Sequence, residues 1–219
     1  MRVVIAGGHG KIARILERLL SDRGDSAVGL IRNPNQVDDL RNVGAEAVVV
    51  DLEKASVDEV ARAVDGADAV VFAAGAGPGS GIARKFTVDR DAAILLADAA
   101  EAAGVSRYLM VSAMGADGPP PEGADEVFVA YLQAKAAADE DVRRRPALNT
   151  TIVRPGHLTD EPGTGRVRVA NSTGSGSIPR ADVAAILVAL LDAPATGGIT
   201  FEVISGDTSI EEAIAALSG

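Results

Sequence analysis

The feature that most constrains this chain is a glycine-rich turn directly after an apolar N-terminal segment. The turn, Gly7-Gly8-His9-Gly10, follows the apolar run Val3-Val4-Ile5-Ala6. Glycine at positions 7 and 10 removes side chains where the chain must reverse within a few residues. The sequence after the turn predicts an amphipathic helix, because apolar residues recur there at helical spacing: Ile12, Ile15, Leu16, Leu19 and Leu20. A buried strand, a tight turn and a helix therefore follow one another.

This strand–turn–helix unit has the properties of a phosphate-binding loop. The first N–H groups of a helix have no partners within the helix and attract anions. The spacing is G-x-x-G-x-x-A, with Ala13 at the third position, where a small residue lets helix and strand approach closely. We therefore predict that the turn and the start of the helix bind the pyrophosphate of a dinucleotide, through Gly7, Gly8, His9, Gly10, Lys11 and Ile12.

Composition excludes several other classes of protein. The chain of 219 residues carries a formal net charge of −10, which disfavours nucleic acid and anionic membranes as partners. It has no cysteine and two histidines, so we expect no disulfide, no thiolate catalysis and no metal site. No apolar stretch reaches membrane-spanning length, and the first strand begins too early for a signal peptide. We expect a cytoplasmic protein whose partner is a small-molecule substrate.

Strand-like and helix-like segments alternate along residues 1–219, which we interpret as one domain. The predicted strands are Val3–Ala6, Ala27–Ile31, Ala47–Val50, Ala69–Ala73, Tyr108–Val111, Thr151–Arg154 and Phe201–Ile204. The predicted helices are Lys11–Ser21, Val57–Val64, Asp89–Ala102, Val127–Arg144, Ala181–Leu191 and Ile210–Leu217. Repeated strand–helix units predict an α/β fold, a Rossmann-like doubly wound domain with a parallel sheet of about seven strands and helices on both faces.

Glycine and proline collect in loops after the later strands. Gly75–Gly81, Gly115–Gly123 and Pro155–Gly165 follow the predicted fourth, fifth and sixth strands. Ligands of open parallel sheets bind beyond the carboxyl ends of the strands. These three loops are therefore expected to border the site, whereas Ser172–Ser177 is interpreted as an ordinary surface connection.

The residues after the second strand predict which dinucleotide binds. NAD-binding proteins commonly have a carboxylate there, which holds the ribose hydroxyls. This chain has Arg32 and Asn33 instead. A guanidinium can pair with the 2′-phosphate of NADP and stack on the adenine. We predict NADP, with NAD as the alternative.

Two further segments are expected at the cofactor. Asp51 and Leu52 follow the third strand and are placed to meet the adenine, although an aspartate at that point also suits a helix or loop cap. Ala73, Ala74 and Gly75 follow the fourth strand, where small residues let the backbone pass close to the ribose and pyrophosphate.

Tyr131 and Lys135 form the clearest catalytic pair. They lie four residues apart in a predicted helix and therefore share one face. An ammonium beside a phenol lowers the phenol pKa, and the same lysine can hold the nicotinamide ribose. Ser112, at the end of the fifth strand, is a candidate hydrogen-bond donor to the same substrate oxygen; its alternative role is a hydroxyl bonded to the backbone.

Together these segments resemble the short-chain dehydrogenase/reductase superfamily. The resemblance is to its atypical NAD(P)-binding branch, of the NAD-dependent epimerase/dehydratase-like or NmrA-like type. It implies a Rossmann-like sheet, NAD(P), a Tyr131/Lys135 proton relay, and Pro155 and Gly156 beside the nicotinamide. The matching segments are Gly7–Ala13, Arg32–Pro34, Asp51–Leu52, Phe72–Gly75, Val111–Ala113, Tyr131–Lys135 and Thr151–Gly156.

The chain also departs from the pattern of that family. The family's catalytic serine or threonine often lies one residue later, at Ala113, and its asparagine after the fourth strand corresponds to Asp89. We predict an NADP(H)-dependent oxidoreductase that transfers a hydride to or from a small carbonyl or alcohol. The alternatives are a redox sensor that binds the dinucleotide without turnover, and a reductase of flavin or tetrapyrrole.

Overall fold

A nine-stranded sheet forms the centre of the computed structural model, which describes residues 1–217. Seven strands are parallel neighbours: β3 (Glu46–Val49), β2 (Ser26–Ile31), β1 (Arg2–Ala6), β4 (Ala69–Phe72), β5 (Arg107–Val111), β6 (Asn149–Pro155) and β10 (Thr200–Ser205). Antiparallel β8 (Arg166–Ala170) and then β11 (Thr208–Ser209) extend the sheet beyond β10. A separate pair is formed by β7 (His157–Thr159) and β9 (Ser177–Pro179).

Helices cover both faces of the sheet. Val3 and Ile5 of β1 belong to a buried cluster with α1 (Lys11–Asp22) and α7 (Arg180–Leu191), whereas Val4 and Ala6 belong to a cluster with α3 (Val57–Val64) and α5 (Ala92–Ala102). This alternation follows from the two-residue period of a strand. The helices are α1 (Lys11–Asp22), α2 (Val37–Arg41), α3 (Val57–Val64), α4 (Gly81–Arg84), α5 (Ala92–Ala102), α6 (Glu126–Arg143), α7 (Arg180–Leu191) and α8 (Ile210–Leu217).

The order of the strands locates a crevice. The chain runs outward from β1 to β2 and β3 on one side, and from β4 to β5 and β6 on the other. The direction of winding therefore reverses between β1 and β4. A crevice opens at the carboxyl ends of the strands at such a point, which brings the β1–α1 turn next to the segment after β4.

The structure confirms the predicted fold class and corrects the strand count. The seven predicted strands are present, but nine rather than about seven strands pair in the sheet within residues 1–217. The additional β8 is only partly buried and gains its partner β10 only because the chain returns beside it. The predicted loops Pro155–Gly165 and Ser172–Ser177 also contain β7 and the start of β9. That residues 1–219 form one domain stays a prediction, and residues 218 and 219 lie outside the described part.

A π-helix precedes α5 where the sequence predicts the start of an α-helix. It spans Lys85–Asp91 and buries Lys85, Val88 and Asp89. A π-helix widens the turn by one residue and is common at functional sites. Among residues 1–217, no helix is both long and apolar enough to cross a membrane.

Candidate functional site

The β1–α1 turn contacts the segment after β4 without room for side chains. Gly7 has φ +82°, and a Cβ there would lie 2.6 Å from the Cα of Ala74. A Cβ on Gly10 would lie 3.0 Å from the carbonyl oxygen of Gly7. A side chain at Gly7 would therefore collide with the backbone, and one at Gly10 would fit only tightly and would project into the crevice, as expected for a loop that a ligand approaches closely.

The N-terminus of α1 opens into this crevice without a cap. Gly10 precedes the helix, no side chain accepts a hydrogen bond from its first turn, and that turn contains no acidic residue. The N–H groups of Lys11 and Ile12 are therefore free of intrahelical partners. An anion can bind there, which agrees with the predicted pyrophosphate position.

The first of two neighbouring cavities, which we call the Arg32 cavity, has a volume of about 370 Å³. It lies beyond the carboxyl ends of β1 to β4. Its lining includes most of the residues predicted to bind the cofactor: Gly7, His9, Gly10, Arg32, Asn33, Asp51, Leu52, Ala73, Ala74 and Gly75. Gln36, Glu53, Arg84 and Val88, which were not predicted from the sequence, also line it.

Glu53 links two arginines at the mouth of the Arg32 cavity. Its carboxylate accepts hydrogen bonds from Arg84 (2.7 Å), Arg32 (2.9 Å) and the Thr87 hydroxyl (2.7 Å). The hydrogen bond from Arg84 holds the pKa of Glu53 below its ordinary value, so the group is ionised. Glu53 and Arg84 carry no sequence signal, because they meet only when the segment after β3 packs against α4.

Other predicted residues of the Arg32 cavity are held by local contacts. The imidazole of His9 lies 2.8 Å from Asp39 and 3.0 Å from the amide nitrogen of Gln36. The Asn33 side chain accepts from the backbone N–H of Asn35, and the Asp51 side chain accepts from that of Glu53. Asn33 and Asp51 thus stabilise the turns that shape the cavity.

The second cavity, which we call the Tyr131 cavity, has a volume of about 540 Å³. Ala73, Ala74 and Gly75 line both cavities, so the two meet at the segment after β4. The predicted catalytic residues come together here. The polar lining side chains are Lys85, Asp89, Ser112, Asp125, Tyr131 and Lys135, and the apolar ones include Ile12, Val111, Val127, Phe128 and Leu158.

Lys135 is buried behind Tyr131 and has its own partners. Its ammonium donates to the carbonyl oxygen of Val111 (3.1 Å), lies 3.5 Å from Asp89 Oδ1 and is 6.0 Å from the centre of the Tyr131 ring. Burial lowers the pKa of Lys135, against the opposing effect of the Asp89 carboxylate. The lysine is therefore positioned by the end of β5 and by the π-helix.

The prediction that Lys135 lowers the pKa of Tyr131 is wrong. Burial raises the pKa of the Tyr131 phenol, and the carboxylates of Asp89 and Asp139 raise it further. Lys135 cannot offset this, because Asp89 neutralises its charge within 3.5 Å. Tyr131 is therefore a phenol, a proton donor, throughout the neutral range.

Ser112 is buried beside a second charged pair. Its hydroxyl lies beside the Asp139 carboxylate and lowers the pKa of that group, and among residues 1–217 it makes no hydrogen bond to the backbone, which was its expected alternative role. Asp139, one turn after Lys135, binds the guanidinium of Arg154 at 2.8–2.9 Å. Burial raises the pKa of Asp139. Arg154 also reaches Asp117 in the loop after β5 (2.7 Å) and so ties that loop to α6.

Four predicted cofactor residues face elsewhere. Gly8 packs against Gly29 and its N–H donates to Leu30, and the Lys11 side chain pairs with Asp160 on another surface. The remaining two, Pro155 and Gly156, line neither cavity. The carbonyl of Pro155 accepts from Met114, and Gly156 packs against Gly176 and Ile204. The side chain of Lys11 therefore lies away from the crevice, and only its backbone N–H, at the start of α1, faces the predicted pyrophosphate position.

The residues present fit a dinucleotide. The uncapped α1 terminus, the glycine cradle at Gly7 and Gly10, and two cavities joined at Ala73–Gly75 form one continuous path. The profile of the protein family described as NAD(P)H-binding matches residues 7–194. The chain belongs to this family. A nicotinamide dinucleotide is therefore its cofactor class, and the resemblance to the NAD(P)-binding, epimerase/dehydratase-like branch is confirmed.

Relatives of the family cover nearly the whole chain. A Bacillus subtilis protein named uncharacterized sugar epimerase YhfK is 38% identical over 218 residues, which are 99% of this chain and 100% of the relative. The solved structure of a provisionally named NAD-dependent epimerase/dehydratase from Bacillus halodurans is 39% identical, with 99% of each chain covered and a TM-score of 0.90. That of ChuY, an anaerobillin reductase from Escherichia coli, is 25% identical, with 95% and 99% covered and a TM-score of 0.80.

Proposed function

We propose that this chain is an NADP(H)-dependent oxidoreductase that reduces a small carbonyl compound, with Tyr131 as the proton donor. The observation that carries the proposal is the junction of the two cavities at Ala73–Gly75. A dinucleotide that extends from Arg32 across Gly7 and Gly10 ends in the cavity that holds Tyr131, Lys135 and Ser112.

The charges around the Arg32 cavity support NADP rather than NAD. Arg32 and Arg84 converge on one point, now occupied by the carboxylate of Glu53. A 2′-phosphate is an anion of the same kind with more acceptor oxygens, and it suits paired guanidinium groups. Glu53 carries one negative charge against these two guanidinium groups, and Asp51, the other carboxylate of the cavity, is paired with Lys54.

The protonated state of Tyr131 is the state that reduction requires. A reductase needs an acid that gives a proton to the developing alkoxide, whereas oxidation of an alcohol needs a phenolate base. Burial and the carboxylates of Asp89 and Asp139 keep the phenol protonated. Tyr131 therefore suits the role of acid.

The proposed reaction forms one C–H and one O–H bond. When bound, the reduced nicotinamide supplies a hydride to the carbonyl carbon and is itself oxidised. Tyr131 gives its phenolic proton to the oxygen, so that the carbonyl becomes an alcohol, and regains a proton from water. Ser112, which lines the Tyr131 cavity, donates a hydrogen bond to the same oxygen. Lys135 orients the cofactor ribose and the Tyr131 ring.

The test is the reduction of small aldehydes, ketones, quinones and flavins with NADPH by wild type and Tyr131→Phe. The variant should lower kcat by about 10²–10⁴ while binding NADPH as tightly, because only the proton donor is lost. Retained activity in Tyr131→Phe would refute the role of the phenol and favour direct hydride transfer, as to a flavin or tetrapyrrole. If no compound is reduced while NADPH changes the affinity for a partner protein, the redox-sensor alternative replaces the enzyme.

A further inference from the structure

Lys85 is a buried cation that the proposed reaction does not use. It lies in the π-helix, and 7% of its surface is exposed. Its ammonium donates one hydrogen bond, to the carbonyl oxygen of Gly77 (2.8 Å), and lies 5.6 Å from the centre of the Tyr131 ring. An ammonium has three N–H donors, so two remain for another group.

No carboxylate in the described residues compensates this charge directly. Two acidic side chains line the Tyr131 cavity, and both are engaged. Asp89 lies 3.5 Å from Lys135 and accepts from the N–H of Ala76, while Asp125 accepts from the N–H of Phe128 at the start of α6. Neither lies within 4.0 Å of the Lys85 ammonium. An ammonium that lines a cavity and has two free N–H donors is a binding point for an anionic ligand.

We propose that Lys85 is an anion subsite and that the substrate is a small carbonyl compound that carries a carboxylate. The apolar lining of the cavity by Ile12, Val111 and Phe128 suits the carbon skeleton of an organic acid. The Lys85 ammonium and the Tyr131 ring are close enough for one small molecule to reach both with its carboxylate and its carbonyl. The carbonyl rests on the proposed function, whereas the carboxylate subsite can be tested without turnover.

The test compares benzoate with benzamide, its neutral analogue of the same shape. Calorimetric titration of the NADPH-loaded protein should show benzoate binding about tenfold or more tightly than benzamide, as expected for a charge-assisted hydrogen bond. Lys85→Met should reduce that preference to within about twofold, and Lys85→Arg should retain it. Lys54→Met is the matched control, because it removes an exposed lysine that is paired with Asp51. It should leave the preference for benzoate over benzamide unchanged.

A second measurement places the ligand independently of the variants. The chain has two tyrosines, and Tyr108 is fully buried, so ring-proton contacts between benzoate and a tyrosine report on Tyr131. Nuclear Overhauser contacts to Tyr131 are expected in the wild type. Equal affinities for benzoate and benzamide, an unchanged preference in folded Lys85→Met, or bound benzoate without Tyr131 contacts would overturn the proposal. Tighter binding of phenyl phosphate through Lys85 would overturn the carboxylate assignment.

These outcomes are separable from those of the proposed function. The titrations with benzoate and benzamide are also run without NADPH, so that binding at Lys85 is measured apart from the cofactor. A preference for benzoate that depends on Lys85, in a protein that reduces no carbonyl compound, supports the subsite and refutes the reductase. Carbonyl reduction without any preference for benzoate supports the reductase and refutes the subsite.

Discussion

Replacing Glu17 by Gln should stabilise the protein at neutral pH. Glu17 lies on α1, is fully buried, and its Oε1 faces the backbone of Gly8 and Gly29, where added Cβ atoms would come within 3.0 Å and 2.5 Å of it. Neither carboxyl oxygen has a hydrogen-bond partner among residues 1–217. Burial raises the pKa of Glu17 from 4.5 to about 8, although nearby Arg14 acts in the opposite direction.

The sign and size of the effect follow from linkage between protonation and folding. Between pH 4.5 and 8, Glu17 keeps its proton in the folded chain and loses it in the unfolded chain. The folded state then binds more protons, so the free energy of unfolding falls by up to about 1.4 kcal/mol per pH unit as pH rises. At pH 7 the accumulated loss is on the order of 3 kcal/mol, and it saturates above pH 8. Gln does not titrate and avoids this loss.

Urea unfolding followed by circular dichroism at pH 5, 6, 7 and 8 provides the measurement, since the chain has no tryptophan for fluorescence. The difference in unfolding free energy between Glu17→Gln and wild type should be about 1 kcal/mol at pH 5 and about 3 kcal/mol at pH 7. The exposed Glu122 supplies the control, and Glu122→Gln should follow the wild-type curve. Parallel curves for wild type and Glu17→Gln would refute the reasoning.

Four further substitutions test the cofactor path and the buried ion pair. Arg32→Ala should weaken NADPH binding by about 10- to 150-fold, because it loses a charged contact worth about 1.5–3 kcal/mol. Glu53→Gln should strengthen NADPH binding about tenfold, because it frees Arg32 and Arg84. Equal affinities of wild type and both variants in calorimetry would contradict the 2′-phosphate assignment. Gly10→Val should abolish dinucleotide binding while the circular dichroism spectrum stays native. The φ of −65° at Gly10 suits any residue, but the valine side chain would enter the crevice. Unchanged binding would show that the dinucleotide site lies elsewhere. Asp139→Ala should lower the free energy of unfolding by about 1.5–3 kcal/mol, because Arg154 loses its buried partner and keeps only Asp117. Urea unfolding is the assay, and an effect below about 1 kcal/mol would be the contrary result.

The N-terminal unit shows how far local sequence information reaches. The apolar run, the glycines at 7 and 10 and the helical periodicity after them act over neighbouring residues, and they predicted β1, the turn and α1 almost to the residue. The sequence also predicted that Tyr131 and Lys135 share one face of α6, because residues four positions apart lie one turn apart on the same side of a helix. The segments after β2, β3 and β4 were predicted to line the site because parallel strands end at the same edge.

What the sequence could not provide depends on contacts between distant segments. β8 and β11 form only because the chain returns beside β10, and Glu53 joins Arg32 to Arg84 only when the segment after β3 meets α4. The pKa of Tyr131 was predicted with the wrong sign for the same reason. The sequence places Lys135 one turn away, but only the packed structure buries the phenol and adds Asp89 and Asp139.

The sequence by itself therefore determined the seven parallel strands, the glycine-rich turn after β1 and the residues available at the strand ends. These depend on hydrophobic periodicity and backbone freedom, which act locally along the chain. The tertiary structure decided which charges meet and which groups are buried. Among residues 1–217 it leaves the Lys85 ammonium without a carboxylate within 4.0 Å and the Glu17 carboxyl oxygens without a hydrogen-bond partner. Burial and electrostatic interactions depend on distance in space, and a linear sequence does not contain those distances.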